Sequence, residues 1–197
     1  MNPPELLPET HPLPAFAPEN ARLLMLGSFP PGRHRWKMDF YYPNLNNDMW
    51  RIMGLCFFNE RDYFLTPQKN AYEEDKIRQF LQEKGIAISD TARQVIRLKE
   101  NASDKYLQIV QTMDIAALLE RLPHCHAIVT TGQKASDTLL SILPGIPAAP
   151  AVGGFVEFLW QARKMRFYRM PSSSRAYPKP LAEKAGVYLG MFNEIGL

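Results

Sequence analysis

Four short runs of apolar residues punctuate the chain: "LLML" at 23–26, "IAIS" at 86–89, "AIVTT" at 127–131 and "FYRM" at 167–170. Most are continuously apolar rather than alternating, the pattern of strands covered on both faces. Helical periodicity separates them. "EEDKIRQFLQEKG" sets Ile77, Phe80 and Leu81 on one stripe and ends at Gly85, a helix-stopping position. "DIAALLERL" opens on Asp114, a good N-cap, and repeats Ile115, Leu118, Leu119 and Leu122. "QKASDTLLSIL" after Gly132 and "LAEKAGVYLGMFNEI" near the end behave alike. Strands alternating with helices predict an α/β fold: a three-layer α/β/α sandwich around a central, mainly parallel four-stranded sheet. Residues 153–170 leave two options open, since "GGFVEFLW" and "KMRFYRM" also suit consecutive strands.

The first twenty residues carry six prolines, which remove backbone donors and forbid helix interior. Residues 1–20 are therefore expected to be an arm without chemistry, and 21–197 a single domain. The two cysteines, Cys56 and Cys125, lie far apart, and no signal-peptide order or membrane-length apolar run is present, so a cytoplasmic setting is expected. Cys56, inside "MGLCFF", reads as core. A formal charge of +3 permits a nucleic-acid partner without requiring one.

In an open parallel sheet, ligands sit beyond the carboxyl ends of the strands. Four loops fall there: the segment from Gly27 to Trp50, Asp90, Gly132, and "PSSSRAYPK" at 171–179. The first sets Arg33, His34, Arg35 and Lys37 around Trp36, then Tyr41 and Tyr42 ahead of Asn44, Asn46 and Asn47. Cations meet phosphates and flat rings stack on bases, so the mixture suits a nucleic acid; it equally suits a loop whose rings complete the core and whose asparagines cap turns and helices. Hydroxyls and amides of Ser172, Ser173 and Ser174, with Arg175, suit a phosphate or a plain helix-leading linker. "HCH" at 124–126 lacks a second cluster to complete a zinc site, two cysteines cannot hold an iron–sulfur cluster, and "GSFPPG" is no P-loop. No metal and no cofactor are expected.

The order of these loops, "GSFP", then "YYPNLNNDMW", an Asp after the next strand, and a late "PSSS", resembles the uracil-DNA glycosylase superfamily, and within it the mismatch-specific and hypoxanthine branch without an iron–sulfur cluster. The likeness runs from about Leu23 to the C-terminus, through "GIAISD" and "IVTTGQKA". Family members read something like "GSFPG", "YYAHPxNxFW" and "PSTSPAN". This chain departs from them with an extra proline at Pro31, with Asn44, Leu45 and Met49 for the histidine, proline and phenylalanine, and with Arg175 and Tyr177 in the late loop.

The resemblance implies a glycosylase that hydrolyses the bond between a deaminated or mispaired base and deoxyribose in DNA. It implies Asn47 as the catalytic asparagine, with Asp90 in support. Asp90 otherwise caps a helix over "TARQVIR", and Asp39 and Asp48 are alternative proton acceptors. Gly27, Ser28, Phe29 and Tyr42 would bind the base, with Tyr42 stacking on it. Arg33, Arg35, Ser172, Ser173, Ser174, Arg175 and Lys179 would hold phosphates. One chain suffices for a target taken one nucleotide at a time. The same fold could instead serve as an inactive nucleic-acid or nucleotide-binding module, or the arm as a protein-binding segment.

Overall fold

A computed structural model describes residues 7–99 and 103–197; the first six residues of the arm lie outside the described residues. The chain runs β1 (Glu9–Thr10), β2 (Leu23–Gly27), α1 (Met49–Phe58), α2 (Glu74–Lys84), β3 (Ile86–Asp90), β4 (Ala92–Arg97), β5 (Leu107–Thr112), α3 (Ile115–Glu120), β6 (Ala127–Thr130), α4 (Gln133–Ile142), β7 (Phe155–Trp160), β8 (Arg163–Arg169) and α5 (Leu181–Ile195).

The main sheet has five strands in the order β3-β2-β6-β8-β7. β2, β3, β6 and β8 run parallel, and β7 pairs antiparallel with β8. Every residue of β2, β3 and β6 is buried, as their unbroken apolar runs require. Alternate side chains serve opposite faces. Leu23, Met25, Ile86 and Ile88 pack with residues of α1, α2 and α5, while Leu24, Leu26, Ala87 and Ile128 pack with residues of α3 and α4.

Two expectations need correction. The sheet gains a fifth strand, β7, because 155–169 is a hairpin turned by Gln161 and Ala162 at φ 47° and 65°. A two-residue hairpin loop of this kind has positive φ at both positions, and the usual Asn-Gly signature is missing here. The predicted helix over "TARQVIR" is strand β4, paired with β5 and with β1 of the arm in a second, three-stranded antiparallel sheet. Ala92 and Val95 bury against Leu107 on one face of that small sheet, a contact across the chain that overrides local helical spacing.

The described part of the arm, residues 7–20, is extended. Phe16 exchanges both backbone hydrogen bonds with Ile88 at 2.9 Å, and the His11 N–H donates to the Arg93 carbonyl at 2.7 Å. Predicted termini hold where a side chain or a left-handed glycine ends the helix: Asp114 accepts from the Ala117 N–H at 2.9 Å, and Gly85 closes α2 at φ 67°. Cys56 packs against the core formed with α1 and α5, and burial pushes its thiol up to about 12. No helix among the described residues is long and apolar enough to cross a membrane.

Candidate nucleobase-binding cleft

The chain leaves β2 toward β3 on one side and leaves β6 toward β8 on the other, so the connections part between the carboxyl ends of β2 and β6. Such a switch point opens a crevice in any doubly wound sheet. A cleft of about 970 Å³ lies there, lined by Gly27 to Pro31, Arg35, Tyr41 to Asn44, Asn46, Asn47, Asp90, Ser103 to Lys105, Thr131 and Ser172 to Pro178.

Tyr42 spans the switch. Its hydroxyl shares a hydrogen bond of 2.9 Å with Thr131 Oγ1, past the end of β6, and Trp50 meets its ring edge-on at 6.2 Å. Its backbone is left-handed, φ 53°, an uncommon state for an aromatic residue that the surrounding contacts must hold. Burial, then the nearby Asp90 charge, push its phenol well above the usual range, so it acts as a neutral ring and hydroxyl.

Asn47 and the serine loop are tied together. Asn47 bridges Ser174, the Asp48 N–H donates to the Ser173 carbonyl at 2.8 Å, and the Arg175 N–H to Asn46 at 3.4 Å. Asn47 Oδ1 accepts from the Met49 N–H at 2.9 Å. This fixes the amide, and among the described residues Nδ2 has no protein acceptor. Ser172 Oγ accepts from the Ser174 N–H and Ser174 Oγ from the Ala176 N–H, both at 3.2 Å. Below this loop the buried Asp48 binds Lys184 of α5 at 3.1 Å and Arg175 at 3.2 Å, so it is engaged as a structural counter-ion.

Gly27 and Asp90 sit side by side at the ends of β2 and β3. A Cβ on Gly27 would collide with Asp90 Oδ1 and lie 3.3 Å from the Tyr42 hydroxyl, so the absence of a side chain is what admits the carboxylate. Asp90 caps no helix; its Oδ2 meets His11 Nε2 at 2.8 Å. Ser28 donates to Asp104 Oδ2 at 2.7 Å. Desolvation, reinforced by repulsion from Asp90 and opposed by that hydrogen bond, holds the Asp104 carboxyl above the usual range. Among the described residues, the N–H groups of Ser28 and Phe29 donate to no protein acceptor. The Phe29 ring packs edge-on to His11 at 5.2 Å and against the small sheet's core.

Most of the residues singled out from sequence thus share one cleft. Arg33 and Lys179 do not line it. Arg33 pairs with Asp39 at 2.9 Å over the Trp36 ring, and Lys179 reaches Glu183 at 3.4 Å. Sequence reasoning missed Thr131, Asp104 and Lys105 in the wall and His11 behind Asp90. Thr131 was within a predicted strand end; the others had no local signal. Among the described residues, no group of three or more His, Cys, Asp or Glu side chains is placed to hold a metal ion.

The cleft thus sits at a sheet switch point and is walled by an aromatic ring, amides and a serine turn. No protein-family model matches the chain. It is 30% identical over 124 residues to a hypoxanthine DNA glycosylase of Methanosarcina acetivorans, covering 63% of this chain and 72% of that protein. It also superposes, at a TM-score of 0.65 and 23% identity, on the solution NMR structure of a protein described as a uracil DNA glycosylase from the same organism, covering 97% of this chain and all of that one. The second likeness is one of fold. The chain belongs to the uracil-DNA glycosylase superfamily, in its hypoxanthine branch. It is a DNA-binding hydrolase of DNA repair.

Proposed function

We infer that the protein hydrolyses the N-glycosidic bond of hypoxanthine or uracil in DNA, leaving an abasic site for base excision repair. The observation that supports this reading is the junction of Asn47 with Ser174, which brings the asparagine of the first loop and the serine turn of the last onto one rim. In this reading residues 21–197 are the catalytic domain, a three-layer α/β/α sandwich acting as a monomer in the cytoplasm, with residues 7–20 of the arm laid against it.

A base inside a duplex is out of reach, so it is extruded at a cost of about a few kcal/mol, least when mispaired. Ser172, Ser173 and Ser174 with Arg35 and Arg175 would grip the flanking phosphates. Tyr42 would stack on the extruded ring, while the N–H groups of Ser28 and Phe29 meet a base carbonyl. As the bond breaks, its electrons pass to the departing base and positive charge grows on the sugar. Fixed N–H donors at the base and the Asp90 carboxylate toward the sugar then bind the transition state better than the ground state. Asn47 positions the attacking water, and because an amide cannot take its proton, Asp90 is the acceptor.

The test is base release by the purified protein from duplexes bearing a single hypoxanthine, uracil, xanthine or mismatch, without added metal. Release of hypoxanthine or uracil, largely abolished in a folded Asn47→Ala variant, is expected. Salt-sensitive DNA binding with no release from any duplex would contradict it.

A further inference from the structure

The arm was expected to carry no chemistry, yet its one histidine is buried at the back of the cleft. His11 Nε2 lies 2.8 Å from Asp90 Oδ2, with the two side chains only 1% and 7% exposed. Nδ1 lies within reach of both the Leu13 N–H, at 3.1 Å, and the Leu13 carbonyl, at 3.0 Å. A carboxylate can only accept, so the proton between the two side chains sits on Nε2 whichever Leu13 atom Nδ1 meets. Phe29 meets the imidazole edge-on at 5.2 Å and Tyr41 tilts over it at 5.8 Å, which fixes the plane of the ring. Its backbone is held as firmly: β1 pairs with β4, and the His11 N–H is bonded to Arg93.

The two carboxylate oxygens of Asp90 thus have different neighbours. Oδ2 is taken by the arm, and Oδ1 lies against Gly27 at the cleft, where a Cβ on Gly27 would also come close to the Tyr42 hydroxyl. The geometry points to His11 as a positioning residue for base excision, holding Asp90 Oδ2 from behind so that Oδ1 is presented to the reacting sugar and water. This rests on Asp90 acting as proposed above. It makes the proline-rich arm a working part of the site: its prolines stiffen the segment that delivers the imidazole 79 residues away in sequence.

The test is a double-mutant cycle in the full chain, measuring single-turnover base release and DNA dissociation constants separately. His11→Leu is expected to slow release on the order of 30-fold while DNA affinity stays within about twofold. His11→Gln, which restores an N–H donor at a similar reach, should recover most of the rate. In an Asp90→Asn background His11→Leu should change the rate less than about twofold, because the group it acts through is gone. Equal losses in both backgrounds, or Gln no better than Leu, would overturn the assignment and leave the glycosylase reading standing. Full activity in Asp90→Asn alone would remove His11's role together with that of Asp90, and absence of release by the unaltered protein would remove the glycosylase reading itself. Should His11→Leu fail to fold, a long-range proton–nitrogen spectrum of the unaltered protein decides: Nε2 must carry a proton, and a bare Nε2 would sink the proposal.

Discussion

Asn47 and Ser174 face each other as an isolated antiparallel bridge, joining loops that follow the first and last parallel strands of the sheet. The bridge is short, and what keeps it in place lies beneath it. The Asp48 N–H donates to the Ser173 carbonyl there, and Lys184 reaches both the Asp48 carboxylate and the Ser174 carbonyl, the latter at 2.8 Å. Several consequences can be measured.

Lys184 is almost fully buried with Asp48 as its counter-ion. Removing one member strands the other charge away from water, which typically costs about 3 kcal/mol even though Arg175 remains beside Asp48. Lys184→Met should therefore lower unfolding stability by that order in chemical denaturation. A Lys184→Met, Asp48→Leu double variant should recover more than half of the loss, since no buried charge is left. Base release should drop in both, because the serine loop loses its support.

Gly27 has no room for a methyl group, and the obstacles are the groups proposed to act on the substrate. Gly27→Ala must displace Asp90 or Tyr42. The expected result is a loss of about 1–2 kcal/mol in stability, as for other overpacked positions, with single-turnover base release falling on the order of 100-fold through misplacement of the reacting groups. Activity near that of the unaltered protein would show that Asp90 Oδ1 is free to move without consequence.

Asp104 carries a carboxyl raised by desolvation first, and then by Asp90, against the Ser28 hydrogen bond. The sign follows from proton counting. Below the ordinary carboxylate range the group is protonated folded or unfolded and carries no penalty. As pH rises, the unfolded chain ionises first while the folded protein still holds its proton, so stability falls through that window. Asp104→Asn removes the titration while keeping an oxygen for Ser28 to donate to. It should be at least as stable as the unaltered protein at neutral pH, with the difference shrinking on acidification. Thermal melts across the acid range would test this, and a variant that loses stability most at neutral pH would contradict it.

The legible parts of the fold were those written locally. β2, β3 and β6 are continuous apolar runs because both faces are covered, and α2, α3, α4 and α5 show their buried stripes at helical spacing. β4 reads as a helix in sequence because "ARQVIR" spaces Ala92, Val95 and Ile96 as a helix would, and only pairing with β5 and the arm makes it a strand. β7 stayed undecided because its hairpin turns on Gln161 and Ala162, neither of which announces positive φ.

The cleft was legible for a related reason. Tyr42, Asn47, Asp90 and Ser172 to Ser174 each lie at or beyond a strand end, where the topology of a parallel sheet must gather them. His11 and Asp104 were invisible since their partners, Asp90 and Ser28, lie 79 and 76 residues away, and no spacing rule reaches that far. Arg33 suits a phosphate by its charge alone, and in the structure that charge is directed to Asp39 and Trp36.

The central claim is that this cleft receives one unstacked base against Tyr42. A crystal structure of the protein with a duplex carrying a single abasic product site and free hypoxanthine tests it most directly. The expected result is the purine ring over Tyr42, with a carbonyl oxygen at the Ser28 and Phe29 N–H groups and phosphates at residues 172–174. A base that remains stacked in the helix, or one lodged away from Tyr42 while the duplex is bound elsewhere, would contradict the account.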